Sequence, residues 1–77
     1  MTKKQFVKEL LEPLVKETTA YNVSRLEYDK ATPSNEEYVI VHYEWDDGLG
    51  QKQYFQKRIC VTADSLRAIA IDVLNKT

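Results

Sequence analysis

The chain has 77 residues, with eleven basic and twelve acidic side chains, which makes it one domain near the lower size limit for a self-sufficient core. Its near-zero charge balance argues against holding nucleic acid mainly through phosphate contacts, because proteins that do so carry a basic excess. A lone cysteine, Cys60, excludes an internal disulfide and a cysteine-rich zinc site, and suits a reducing, cytoplasmic setting.

The opening segment, MTKKQFVKELLEP, places charges where a secretory signal needs its apolar run. No stretch approaches the ~18 apolar residues of a membrane helix, and no repeat or low-complexity tract divides the chain. Residues 3–20 read as a helix. Phe6, Val7, Leu10, Leu11, Leu14 and Val15 recur at spacings of three and four and share one face, while Lys4, Lys8, Glu9, Glu12, Lys16 and Glu17 fill the other. Pro13 interrupts the pattern, since it removes a backbone donor and crowds the carbonyl of Glu9 at a cost of ~3 kcal/mol in a helix interior. The apolar stripe runs on past it, which predicts a kink or two short helices with Pro13 opening the second.

Residues 21–29, YNVSRLEYD, read as a strand whose phase slips between Val23 and Leu26, as at a bulge or an edge. KATPSNEE supplies turn chemistry. Residues 37–45, EYVIVHYEW, form the clearest strand, with Val39, Val41, Tyr43 and Trp45 facing the core and Tyr38, Ile40, His42 and Glu44 facing away. In a third strand over 51–61, Phe55, Ile59 and Val61 share the inward parity, with Lys57 as the exception. Odd-numbered residues thus face inward on both strands, so paired partners must have an even sum. A two-residue Asp-Gly turn would set Tyr43 against Lys52 and break that pattern. A loop of three or five residues, with Gly48 or Gly50 at positive φ, keeps it.

Residues 63–75 close the chain as a helix capped by Thr62, with Asp64 in its first turn and Leu66, Ile69, Ala70, Val73 and Leu74 as its buried stripe. Ile71 lies ~140° from the centre of that stripe, and the core does not account for it. Both helices need an apolar partner, which the odd-numbered sheet face supplies. The expected fold is α+β: a two-layer sandwich in α-β-β-β-α order, a three-stranded antiparallel meander with two helices packed on one face.

That order resembles the double-stranded RNA-binding domains over most of the chain. The family sets a Lys-Lys-x-Ala-Lys cluster at the start of its second helix, aimed at phosphates across the major groove. Here the position reads TADSLRAIA, with Asp64 in place of a lysine and Arg67 as the only base. The family's Gly-Pro-x-His loop is matched by ATPSNEE, which is acidic. The resemblance therefore implies the layout without its basic cluster. The HicA-type toxin ribonucleases share the element order too, but their catalytic histidine sits in a Gly-Ser-x-His context that His42, in IVHYE, lacks.

His42 beside Glu44 is the one arrangement with general-base chemistry, and it has neither a nucleophile nor a pocket to serve. EWDDG offers Asp46 and Asp47 but not the alternating carboxylates and distal glutamate of a calcium loop, and turn aspartates usually serve their own backbone. The expectation is no enzyme, no cofactor and no metal. Lys52, Tyr54, Lys57 and Arg58 interleave bases with an aromatic, the pattern that stacks single-stranded bases on a sheet, which makes nucleic acid the secondary partner expected. The primary expectation is another protein, bound in an accessory or inhibitory role. Tyr, Trp and Arg lead at interface hot spots, and the open sheet face presents Tyr38, Ile40, His42, Tyr54 and Arg58. Ile71 either enlarges that surface or forms a seam between two copies of the chain.

Overall fold

The computed structural model describes residues 1–19, 22–61 and 64–77. Thr2 opens the first helix with a capping box: the Gln5 amide donates to Thr2 Oγ1 at 3.1 Å, and the Thr2 amide donates to Gln5 Oε1 at 2.9 Å. Helix α1 (Lys3–Phe6) passes into a π-helical turn (Val7–Leu11) and then α2 (Glu12–Thr18), with right-handed backbone at both junctions. Pro13 lies in the first turn of α2, where a missing N–H costs least, and the wide turn before it inserts the residue that a regular helix could not accommodate. That insertion resets the stripe. Val7, Leu11 and Val15, spaced four apart, are buried. Leu10 and Leu14, which regular α-helical spacing assigns to the core, are rotated out and exposed, and Phe6 is only partly covered.

Strand β1 (Val23–Lys30), β2 (Glu37–Asp46) and β3 (Lys52–Val61) form an antiparallel sheet in the order β1-β2-β3. The β1–β2 register shifts between Val23 and Arg25, leaving Ser24 as the extra residue. This bulge is the phase slip seen in the sequence. It lets Val23 pair with Tyr43 and Leu26 with Val41, so both apolar residues of β1 reach the same side. Tyr21, expected to start this strand, lies outside the described residues. The β1–β2 connection passes through a cis Thr32–Pro33 bond and turns at Asn35, φ 60°.

The β2–β3 register has the even sum that alternation requires: Asp46 pairs with Lys52, Tyr43 with Phe55, Val41 with Lys57 and Val39 with Ile59. Residues 47–51 remain as a five-residue loop, and both Gly48 and Gly50 take positive φ, 83° and 84°. Helix α3 (Leu66–Lys76) is capped by Ser65, whose Oγ accepts from the Ala68 amide at 3.1 Å. Thr62, the expected cap, lies outside the described residues.

One apolar cluster joins Val7, Leu11 and Val15 of the first helical segment, Leu26, Val39, Val41, Tyr43, Ile59 and Val61 of the sheet, and Ile69 and Val73 of α3. Leu74, expected in this stripe, is 40% exposed. The sheet also corrects the expected core at its far end. Phe55 is 54% exposed and Trp45 39%, although both lie on the inward side. The reason is length. Ten-residue strands extend roughly 33 Å, whereas an eleven-residue α3 reaches roughly 16 Å. The molecule measures 43 × 27 × 20 Å along its principal axes, and the hairpin runs past its cover. Among the described residues no helix is long and apolar enough to cross a membrane.

Candidate functional site

The side chains that alternation turns away from the apolar cluster come from three strands. Arg25, His42 and Gln56 form one row, Glu27, Ile40 and Arg58 the next, and Asp29, Tyr38 and Cys60 a third, while Glu44 stands beside Tyr54. The guanidinium carbon of Arg58 lies 4.1 Å from the centre of the Tyr38 ring, a cation–π contact. The Tyr38 hydroxyl hydrogen-bonds Glu36, and this bond with a carboxylate raises the Tyr38 pKa. Tyr54 is 50% exposed, Ile40 and Tyr38 are partly covered, and Lys52, Arg58 and the free Cys60 thiol are exposed.

His42 departs from the expected open position. It does point away from the apolar cluster, but its neighbours close over it and it is only 3% exposed. Nδ1 hydrogen-bonds the Tyr54 hydroxyl, which also accepts from Gln56 Nε2 at 2.9 Å. Nε2 lies 3.2 Å from Glu27 Oε1 but outside hydrogen-bond alignment, and the same oxygen is 3.2 Å from Arg25 Nη2. His42 is therefore a packed support beneath Tyr54 and Glu27 and cannot itself touch a partner. Alternation marks its face; the burial comes from the neighbouring Tyr54, Gln56, Glu27 and Arg25, which a one-strand reading does not bring together.

The other named residues separate. Ile71, on α3, is exposed and lies apart from these rows. Lys57 takes the opposite sheet face from Tyr54 and Arg58, and its Nζ donates to the carbonyl of Lys76. Asp47 is occupied at the turn: Oδ1 accepts from the amides of Leu49 at 2.8 Å and Gln51 at 3.3 Å, and Oδ2 from Gln53 Nε2 at 3.2 Å. Those bonds, the Leu49 amide first, hold its carboxyl below the usual range. Among the described residues no three His, Cys, Asp or Glu side chains are grouped to hold a metal.

Residues that sequence reading did not single out tie the first helical segment to the sheet. Glu12 Oε2 accepts from the Leu26 amide at 3.2 Å and from Lys8 Nζ at 2.9 Å, and Lys8 Nζ donates to the Leu26 carbonyl at 3.3 Å. Burial alone would raise the Glu12 carboxyl, but its bonds to Lys8, the Leu26 amide and Lys16 outweigh it and lower the pKa. Glu37 accepts from Lys3 Nζ at 2.8 Å and from the Tyr28 hydroxyl, and both lower its pKa. A groove of about 350 Å³ beside this join is lined by Lys4, Lys8, Leu26, Glu27 and Tyr28, without a histidine, cysteine or serine. No family model matches the sequence, and neither a curated protein nor a solved structure is similar to it.

Proposed function

We propose that the chain is a small cytoplasmic, non-catalytic domain that binds another protein through the outer face of its sheet. In this reading the fold is the two-layer α-β-β-β-α sandwich, with both helical segments on the inward face and the outer face left for the partner. The shared cluster that unites Val7, Leu11, Val15, Ile69 and Val73 with inward sheet residues supports that arrangement.

The observation that carries the functional reading is the half-exposed Tyr54 on the same side of the sheet as the Arg58–Tyr38 stack, with Ile40 paired to Arg58 and the His42–Gln56 row between Tyr54 and that stack. Tyrosine and arginine dominate interface hot spots because each joins a large apolar surface to directional polar groups. Here they are held in place before binding: Tyr54 by His42 and Gln56, Arg58 by the Tyr38 ring. Pre-organised side chains lose less rotamer entropy on association. The test is capture from the native host with the wild-type chain, Tyr54→Ala and Arg58→Ala. Both variants keep the wild-type circular dichroism and lose the captured protein; capture undiminished in both discards this face.

A second reading has its own support. Residues 51–61 contain Lys52, Lys57 and Arg58 and no acid, and Tyr54 and Phe55 are exposed among them. A single-stranded nucleic acid would use that basic, aromatic strand, but with Lys57 on the wrong face for Tyr54. A band shift that collapses between low and moderate salt identifies this alternative.

A further inference from the structure

The two edges of the sheet are finished differently. On β1 part of the outward backbone is occupied: the Leu26 amide and carbonyl meet Glu12 and Lys8, and the Lys30 amide donates to its neighbour Asp29 at 2.9 Å. Because antiparallel residues turn their backbone groups alternately to one neighbour and the other, this fixes the direction along the whole sheet. Leu26 faces outward, so its partner Val41 faces β3 and bonds with Lys57. Odd-numbered residues of β3 therefore bond with β2, and even-numbered ones face the open edge. Cys60 agrees, its carbonyl accepting from Lys76 Nζ at 3.3 Å. Among the described residues nothing bonds to the outward amides and carbonyls of Lys52, Tyr54, Gln56 and Arg58.

We infer that two copies of this chain pair β3 with β3, antiparallel about a two-fold axis through Gln56, and make one six-stranded sheet. Charge and ladder length together select the occupant's register, since an axis at Tyr54 also keeps the cations apart but pairs only residues 52–56 of the strand. Continuous alternation allows the axis only at a residue position. An axis at Phe55 sets Lys52 against Arg58 of the second copy, and an axis at Lys57 sets lysine against lysine. With the axis at Gln56, Arg58 faces Tyr54, Lys57 faces Phe55 and Lys52 faces Cys60, each pair occurring twice. Every cation then meets a neutral partner, two of them aromatic rings. The pairing also covers Tyr54 and Phe55, which the single chain leaves half exposed. One pair of edge strands is a narrow contact beside a standard interface of roughly 800 Å² per partner, so the proposed dimer is weak and concentration-dependent. This pairing uses the strand edge and is argued without the partner-binding reading, but by covering Tyr54 it narrows the sheet face which that reading uses.

Sedimentation equilibrium from about 5 to about 500 µM tests it. The average mass rises from 9.0 kDa toward twice that value. Gln56→Pro removes an outward N–H that β2 does not use, and it stays monomeric while keeping wild-type circular dichroism. Should proline disturb the strand, Gln56→Lys places like charges on the axis at an exposed site and weakens the dimer at least tenfold. Lys52→Cys reports the register. Under mild oxidation it gives a covalent dimer through native Cys60 of the second copy, whereas Tyr54→Cys and the wild-type chain do not. Within one strand positions 52 and 60 are roughly 27 Å apart and cannot close on each other. A mass fixed at 9.0 kDa at every concentration, a dimer undiminished in both Gln56 variants, or a cross-link in Tyr54→Cys instead of Lys52→Cys overturns the proposal.

Discussion

The two ends of the β2–β3 ribbon follow one alternation and reach opposite outcomes. Near the helices, Val39 and Val41 are fully buried and Ile59 and Val61 nearly so. Toward the hairpin turn, Phe55 and Trp45 lie on the same inward side and meet water. Tyr43, between the two ends, is buried, and its ring packs against Phe55 at 5.8 Å between centroids. Side-chain parity decides which way a residue faces; burial further requires something to face. At the covered end the hydrophobic effect holds the ribbon, at ~25 cal/mol for each Å² removed from water. At the far end the backbone ladder, the two positive-φ glycines and the Asp47 hydrogen bonds hold it.

The sharpest way to break this comparison is to cut the cover. Ile69 is completely buried where α3 packs on β3, and Ile69→Ala should cost about 2–5 kcal/mol from lost burial and the cavity left behind. Urea unfolding followed by circular dichroism measures it. A cost below ~1 kcal/mol would mean that α3 contributes little to the covered end.

Acid should loosen the same end next. Glu12 and Glu37 both have lowered pKa values in the folded chain. Each therefore contributes stability that is complete above the unfolded value of 4.5 and is lost as pH falls through the lower folded value. The thermal midpoint should drop as pH falls below 4.5, and Glu12→Gln or Glu37→Gln should flatten that fall. An unchanged slope in both variants would assign the acid loss to other carboxylates. The alkaline side has the opposite sense. Burial first, and then its bond to Glu37, push the Tyr28 hydroxyl up to about 12, so its contribution is complete below 10 and lost as pH rises toward 12.

Much of this architecture was legible because it rests on parity and local turn chemistry. The even-sum register, the odd-length loop, positive φ at glycine and the bulge after Val23 all follow from rules acting within a few residues. What was not legible required elements distant in sequence. The exposure of Leu10 and Leu14 follows from a π-helical turn that accommodates Pro13, and apolar periodicity assumes a regular helix. Glu12 reads as one of the charged residues on the polar side of the helix, and only the packed structure brings it to the Leu26 amide. His42 reads as a solvated side chain on a polar face, because its burial depends on Glu27 from one strand and Tyr54 and Gln56 from another. For the candidate site, alternation puts Tyr38, Ile40, His42, Tyr54 and Arg58 on one side of the sheet but does not say which of them are covered.

The smallest expected effect lies at the far end of the ribbon and discriminates most finely between facing and burial. A phenylalanine truncated to alanine in a packed core costs about 3–5 kcal/mol. Phe55 keeps 54% of its surface in water, so Phe55→Ala should cost under ~1 kcal/mol, mainly from its contact with Tyr43. The measurement belongs at about 5 µM, where two copies would be separate and the single chain alone is read. Trp45, the only tryptophan, supplies an independent readout in the same sample: its emission should be readily quenched by acrylamide in the folded state. A Phe55→Ala cost equal to that of Ile69→Ala, with Trp45 shielded from the quencher, would show both ends equally covered and remove the distinction between them.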